Sequence, residues 1–459
     1  MNDSGAGGAV AQTVRCAERA ASRGGTEPLF PPGHPFAQLV RASYTDLCRR
    51  VSPYDINLLF NQTADPNDPR SAFRKDYGAL LGPGMNLIMP TAGAYLCTPG
   101  ANRVYLPEGT DRTLITYLQS VGFLGEALIH KGVDEIVPMA RRAGRPVYSI
   151  DDFGEGADDI TANSLRNMQM VNSKETVTLL SRFAAPEVRK DMFDVGDADF
   201  HAAWSPGHKV YIKTCNTENA GEGVFPVSSL EEFRAEMEGI RERTRAYGLN
   251  PIVVIQPEVR GVNKSFQIFL DKDEAAPIPV VALTDQLVAA DGKKYAGSIN
   301  HPVTAERLAV VAPAILDLVR GIREHCPGSF GFVMCDYFER EDGSIVIYDP
   351  GLRPSSNTGA AMVKLWAEEA TGQSVGVSNS PWFDFGEPGI PYEEIARRLG
   401  DLADPEHIAE QRLGVLPRGH NPIQGKTRFI VVTPEPDDYE EFRRELEERI
   451  IRPELRRPA

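Results

Sequence analysis

The chain has 459 residues, 42% apolar and 25% charged, with 41 glycines and 35 prolines; that composition excludes collagen-like, coiled-coil and wholly disordered chains. At about 150 residues per domain the length holds roughly three domains. A net charge of −15 works against nucleic-acid and anionic-lipid partners, and no apolar run approaches the ~20 residues of a membrane-spanning helix.

Residues 1–35 are small and polar and end in a proline-rich stretch, so a disordered head is expected there. The first 25 residues contain no Leu, Ile or Phe and so lack the apolar region of a signal peptide. From 36 to 165 apolar strands alternate with helices. Strands are expected at 56–60, 87–90, 133–137 and 147–150, and a helix at 114–122, a pattern that predicts a parallel sheet with crossover helices. From 166 to 375 the pattern changes. A strand over 209–214 puts Val210 and Ile212 on one face and Tyr211 and Lys213 on the other. Overlapping capping boxes at Ser228 and Ser229 open a helix that runs to about Tyr247. Strands are predicted at 252–255, 266–270 and 280–284. A helix follows, with Leu308, Val311, Ile315, Leu318 and Ile322 on one face. Strands at 332–338 and 344–348 close the region. Residues 376–459 begin with a proline- and glycine-rich connection and end with a strand at 428–433 and a charged helix at 437–451. The fold class is therefore α/β (α+β), without internal repeats. Six cysteines with no C-x-x-C pair fit a reduced, cytoplasmic setting.

The most informative segment is the hairpin over 335–349. Asp342-Gly343 is a two-residue turn signal of type I′, and a turn centred there places Asp336 directly opposite Asp349 on one face. Facing carboxylates repel. A divalent cation removes the conflict, and hard oxygen ligands favour magnesium, which commonly takes one or two protein carboxylates plus substrate phosphates. The alternative is a pair of solvated edge acids in a slipped register.

Upstream, the strand ending in Lys213 runs into a small, polar loop with Gly221 and Gly223, whose N–H groups can cover phosphates while the lysine supplies charge. Lys174 stands where Asn172-Ser173-Lys174 opens a predicted helix, a position that can face an anion; on its own it reads as a solvated lysine. The segment 253–261 is a strand leading into a polar connection that offers backbone groups to a flat heterocycle. Gly419 to Thr427 has five residues between its glycines before Lys-Thr. A P-loop needs four and a following helix, so that reading is rejected. The eight histidines form no metal-ligand spacing.

This order of features resembles the ATP-grasp carboxylate-amine ligases over 166–375, and the whole chain looks most like the peptide ligases of pheganomycin-type antibiotic biosynthesis. The resemblance implies a pre-ATP-grasp domain over 36–165, an ATP-grasp domain with a lid over about 185–255, and a C-terminal extension from 376. It implies that Lys174 and Lys213 contact the ATP phosphates. Thr217, Glu218, Gly221 and Gly223 belong by the same resemblance to the phosphate-covering loop. Gln256, Pro257 and Val259 would meet adenine, and Asn263 stands where a ribose-binding acid is usual. Asp336 and Asp349 match the magnesium-binding acids, and Arg353 matches the arginine that steadies the transferring phosphoryl group. Gly351 stands where an Asn ligand is common, so either a second magnesium is held more weakly or Asn357 substitutes. Ser355, Ser356 and Asn357 either line the acceptor pocket or form a structural turn.

The implied reaction joins a carboxylate to an amine with ATP and Mg2+, through an acyl phosphate, releasing ADP and phosphate. The implied substrates are an amino-acid-like carboxylate and a peptide amine, and since such ligases are often dimers a homodimer is allowed for. Two rivals remain: a small-molecule kinase on the same fold, and a catalytically silent nucleotide-binding module.

Overall fold

The computed structural model describes residues 26–57, 94–96, 101–131, 133–149, 156–215, 223–288, 295–355 and 357–451. The expected strand at 87–90 and residues 58–60 and 150 lie outside them, as do 1–25 of the head. Among the described residues no helix is long and apolar enough to cross a membrane.

Four strands form the first sheet, in the order Glu126–His130, Arg103–Pro107, Asp55–Asn57, Val147–Ser149, all parallel. A parallel sheet was expected, but its strands Arg103–Pro107 and Glu126–His130 were not anticipated, and one expected strand is a helix. Residues 133–137, expected as a strand, begin the helix Val133–Ala143. Ile136 and Ala140, one turn apart, are both fully buried in a cluster with Tyr105 and Val147. A five-residue apolar window cannot separate strand from helix, and the burial at i and i+4 decides for helix. A second correction concerns the head, which is packed from residue 26 onward. Glu27 and Pro28 pair with Arg41 and Val40, and Phe30 is buried and stacked on His34 at 4.7 Å.

The second sheet is long and mainly antiparallel. It runs Ile345–Gly351, Gly331–Glu339, Val262–Leu270, Ile278–Val288, Tyr295–His301, Gly376–Asn379, Lys426–Thr433, Phe383–Asp384. Leu39–Arg41 adds in parallel beside Ile278–Val288, and Gly414–Asn421 beside Lys426–Thr433. The strand Tyr295–His301 was not anticipated. The strands beyond 376 continue this sheet, because Ser378 pairs with both Ile299 and Val431. Helix Ala305–His325 covers one face, burying Leu308, Val311, Ile315, Leu318 and Ile322 with Phe266 and Ile268. Helix Thr358–Thr371, also not anticipated, packs with the core on the other face, against Phe269, Val281 and Ala282. Each buried Leu or Ile is worth ~1.5–3 kcal/mol, against ~0.2–1 for an exposed ion pair. Packing, rather than the abundant surface charge, therefore sets this architecture.

The third sheet is small and antiparallel: Val188–Asp191, Ile252–Pro257, Val210–Thr214, Val224–Val227. Helix Leu230–Tyr247 covers it. Of the two capping serines, Ser229 is the cap: its Oγ accepts from Glu232 N at 3.1 Å, while Glu232 Oε2 accepts from Ser228 N at 2.7 Å. Val210, Ile212, Val253 and Ile255 enter the core with Phe233, Met237 and Ile240. Strand alternation leaves Tyr211, Lys213, Val254 and Gln256 on the opposite face.

Gly331 fixes the approach of the parallel sheet to the long one. Its φ is +103°, and a Cβ there would lie 2.5 Å from the Tyr148 hydroxyl, which accepts the Phe332 N–H at 2.7 Å. That contact anchors the start of the strand carrying Asp336.

Candidate active site

Asp336 and Asp349 are directly opposite each other in the register of their two strands. The route to that pairing differs from the expected one. Arg340 N donates to Ser344 O at 3.0 Å and Gly343 N to Arg340 O at 2.9 Å. The loop is therefore the three residues Glu341, Asp342 and Gly343, with positive φ only at Gly343, +77°, and not the two-residue I′ turn. Near the turn Tyr337 pairs with Ile347, one residue short of the expected register. A bulge then absorbs Tyr348 and restores the pairing at Asp336. The longer loop and the bulge cancel.

The two carboxylates are partly buried. Burial first, and then the Asp349 charge, push the Asp336 carboxyl above the ordinary carboxylate range; a hydrogen bond from Gln286 and the Arg353 charge hold it back in part. Gln286 Nε2 donates to Asp336 Oδ1 at 2.5 Å. This donor set suits magnesium: two facing carboxylates in mutual conflict, one of them oriented by an amide. Among the described residues no cluster of three or more His, Cys, Asp or Glu side chains with metal-binding geometry is found, so any further ligands would come from phosphates and water.

Lys174 and Lys213 are each only 6% exposed. Burial lowers the Lys213 pKa, Glu187 and Asp349 raise it, and Lys174 lowers it again. The two lysines and Asp349 thus share one electrostatic neighbourhood. Lys213 Nζ also lies 5.6 Å from the centroid of the Tyr348 ring. Lys174 does not open a helix as expected. Helix Leu165–Asn172 ends just before it, and a single turn, Val177–Leu180, follows. Asn172 Oδ1 instead accepts the Leu352 N–H at 2.8 Å, which brings the Lys174 segment to the loop that carries Arg353.

Gln256 is buried and in register with Tyr211, on the Lys213 face of the small sheet. Pro257 ends its strand, and Val259 lies in the connection to Val262–Leu270. Asn263 Oδ1 accepts from the Tyr348 hydroxyl at 2.8 Å, and Tyr348 stacks on Phe338 at 4.8 Å. Gly223 is described, and its carbonyl accepts from Thr214 N at 2.8 Å; Thr217, Glu218, Gly221 and Ser356 lie outside the described residues.

A polar row crosses the long sheet from the acid pair. Asp349 pairs with Asp336, Asp336 with Ser265, Ser265 with Thr284, and Thr284 with Asn300. It ends in a buried network. Asn357 Oδ1 accepts from Ser298 Oγ, Asn300 Nδ2 and Asn379 Nδ2 at 2.8, 3.1 and 2.8 Å, and its Nδ2 donates to Thr284 Oγ1 and Asn300 Oδ1 at 2.9 and 3.0 Å. Ser355 Oγ accepts from Gln267 Nε2 at 3.1 Å. The oxygen of Asn357 is therefore already engaged by three donors, against its expected use as a metal ligand in place of an Asn at 351. These side chains bolt the 353–358 loop to the sheet.

Sequence reasoning missed Gln286, Glu187 and Tyr348. Of these only Tyr348, an aromatic directly before the second acid, carried a local signal.

No family model matches the sequence, and no curated protein matches it. Solved structures do resemble it. Biotin carboxylase from Campylobacter jejuni, in complex with beta-gamma-ATP, matches with a TM-score of 0.55 at 10% identity, over 86% of this chain and 91% of that one. The biotin carboxylase domain dimer of Hydrogenobacter thermophilus 2-oxoglutarate carboxylase, solved with MgADP, ADP and bicarbonate, matches at 0.53 with 12% identity, over 86% and 89%. An N5-carboxyaminoimidazole ribonucleotide synthetase, PurK, in complex with ADP, matches at 0.52 with 10% identity, over 86% and 96%. The chain has the ATP-grasp fold. In this version of the ATP-grasp fold the Lys213 face of the small sheet meets the acid hairpin, because Lys213 interacts with both Asp349 and Tyr348.

Proposed function

We propose that the protein is an ATP- and magnesium-dependent ligase. It joins an amino-acid-like carboxylate to the amine of a peptide or amino acid through an acyl phosphate, as in peptide ligases of pheganomycin-type biosynthesis. The observation that carries this reading is the convergence of the Asp336–Asp349 pair with Lys213, Lys174 and Arg353 on an ATP-grasp fold. The adenine-nucleotide complexes of proteins sharing the fold support ATP as the substrate.

The chemistry follows from charge. A carboxylate resists nucleophiles until its oxygen accepts the γ-phosphoryl group, which forms the acyl phosphate and releases ADP. The amine then attacks the carbonyl carbon, the C–N bond forms, the C–O bond to phosphate breaks, and the ammonium proton is lost. Magnesium, when bound, would supply positive charge against the phosphates. Asp336 and Asp349 would hold it, with Gln286 fixing the Asp336 carboxylate. Lys174 and Lys213 offset the phosphate charge, and Arg353, held by its bolted loop, steadies the transferring group. Gln256, Pro257 and Val259 border the adenine, Asn263 with Tyr348 the ribose, and Ser355 the acceptor side. The small sheet acts as the lid that keeps water from the acyl phosphate.

A mass-spectrometric screen pairs amino acids with short peptides in the presence of MgATP. A condensation product lighter by one water than its two substrates, with equimolar ADP, is the expected result. ADP release with a phosphorylated product and no need for an amine would make the protein a kinase, and binding without turnover would make it a silent module.

A further inference from the structure

Glu187 is a carboxylate that the proposed reaction does not use. Only Pro186 and Glu187 separate Ala185, whose N–H is bonded to Ile347 O at 3.0 Å on the acid hairpin, from Val188, the first strand residue of the small sheet. The residue therefore sits on a crossing between the acid hairpin and the small sheet. Val188 pairs with Ile255, so Glu187 stands beside Gln256 at the end of that ladder, on the Lys213 face. Among the described residues its buried Oε1 makes no hydrogen bond, and the charged group acting on it is Lys213, on the strand beyond Ile252–Pro257 in that sheet. The other ionisable groups of the cluster are Lys174, Asp349 and Cys215 around Lys213, and Glu175 and Arg189 around Cys215.

A buried acid oxygen without a donor is costly, and this one lies beside a lysine assigned to phosphate. A second anion cannot come to that lysine without repulsion unless Glu187 loses its charge. We propose that Glu187 is a positioning residue for the nucleotide: it balances Lys213 when no phosphate is bound and takes up a proton when the phosphates arrive. The inference rests on the nucleotide reading given above. Burial, opposed by Lys213, raises the Glu187 pKa to about 7, close enough to neutral pH for the proton to be exchanged under ordinary conditions. Nearby phosphate drives it higher still.

The test is calorimetric titration of the full chain with MgADP at pH 5.5, 7 and 8, in buffers of different ionisation enthalpy. The wild type is expected to take up little proton at pH 5.5, where Glu187 is already protonated, and to approach about one per site at pH 8, with affinity falling toward tenfold per pH unit above pH 7. Glu187→Gln should remove that excess uptake and bind MgADP more tightly at pH 8. Binding with no rise in uptake between pH 5.5 and 8, or with the same rise in Glu187→Gln, overturns the role of Glu187 and leaves the nucleotide reading standing. A wild type that binds no MgADP overturns that reading, and this inference with it. Should Glu187→Gln not fold, Glu187→Ala carries the same comparison with the wild type.

Discussion

Asn172 accepts the backbone N–H of Leu352 at 2.8 Å, and through that bond the segment carrying Lys174 and the loop carrying Arg353 share one anchor. Both ends are buried. Replacing Asn172 with Ala leaves the Leu352 N–H without this acceptor inside the protein, a loss of ~1–3 kcal/mol. Urea unfolding should register that loss. ADP release should slow further than stability alone explains, because the two cations proposed to face the phosphates move relative to each other. Asn172→Asp retains an acceptor and should recover most of both; equal damage from the two variants would show that the bond does not position the cations.

The acid pair makes an opposite prediction for stability and turnover. Asp336 and Asp349 repel, so Asp349→Asn should stabilise the protein in the absence of metal, by ~1 kcal/mol on the scale of a facing like-charge pair. The same change should remove magnesium-dependent ADP formation. In thermal unfolding, MgADP at a hundredfold excess over its Kd should stabilise the wild type by ~2.7 kcal/mol and should shift Asp349→Asn far less. An Asp349→Asn protein that keeps full turnover at low magnesium would remove the metal assignment.

What the sequence disclosed follows from the range of each interaction. The alternation of Lys213 with Val210 and Ile212, the Ser229 cap and the buried stripe of Ala305–His325 are local, and a local pattern can be read. The facing acids were also legible, although the loop and the bulge at Tyr348 were not, since a register is local but an extra residue within it is set by packing. Gln286 and Glu187 stayed hidden for another reason. Gln286 lies fifty positions from the Asp336 it orients, and Glu187 comes to Lys213 only because the chain crosses between sheets there. The helix at Val133–Ala143 was missed because five apolar-rich letters fit either period until the turn beyond them is buried.

The amide network under the 353–358 loop should tolerate little. In Asn357→Asp a carboxylate oxygen replaces the Nδ2 that donates to Asn300 Oδ1 at 3.0 Å, setting two acceptors against each other in a buried place. A loss of ~2–4 kcal/mol is expected. Because the loop also carries Arg353, kcat should fall with little change in the KM for ATP. A variant with normal stability and a raised KM for the acceptor alone would instead make Asn357 a substrate contact.

Asp111 links helix Arg112–Ser120 to the C-terminal region and gives a pH prediction of known sign. It caps helix Arg112–Ser120, accepting from Thr113 N at 2.8 Å, and accepts from Tyr392 N at 2.7 Å. His420 Nε2 lies 3.3 Å from its Oδ2. Burial raises its pKa, but the adjacent His420 ring and the hydrogen bonds from Tyr392 and Thr113 outweigh burial and hold the carboxyl well below its ordinary 3.8. A depressed carboxyl stabilises the fold above the unfolded pKa and loses that contribution as pH falls through the folded one. Asp111→Asn should therefore be less stable than wild type by ~1–3 kcal/mol at pH 7, and the gap should narrow as the pH drops below 3.8. Chemical denaturation of both proteins at pH 7, 4 and 3 measures it. A gap that is constant across that range would mean that Asp111 acts through shape rather than charge, and that the contact between helix Arg112–Ser120 and His420 is held by packing around Tyr117 and Tyr392, whose rings lie 5.1 Å apart.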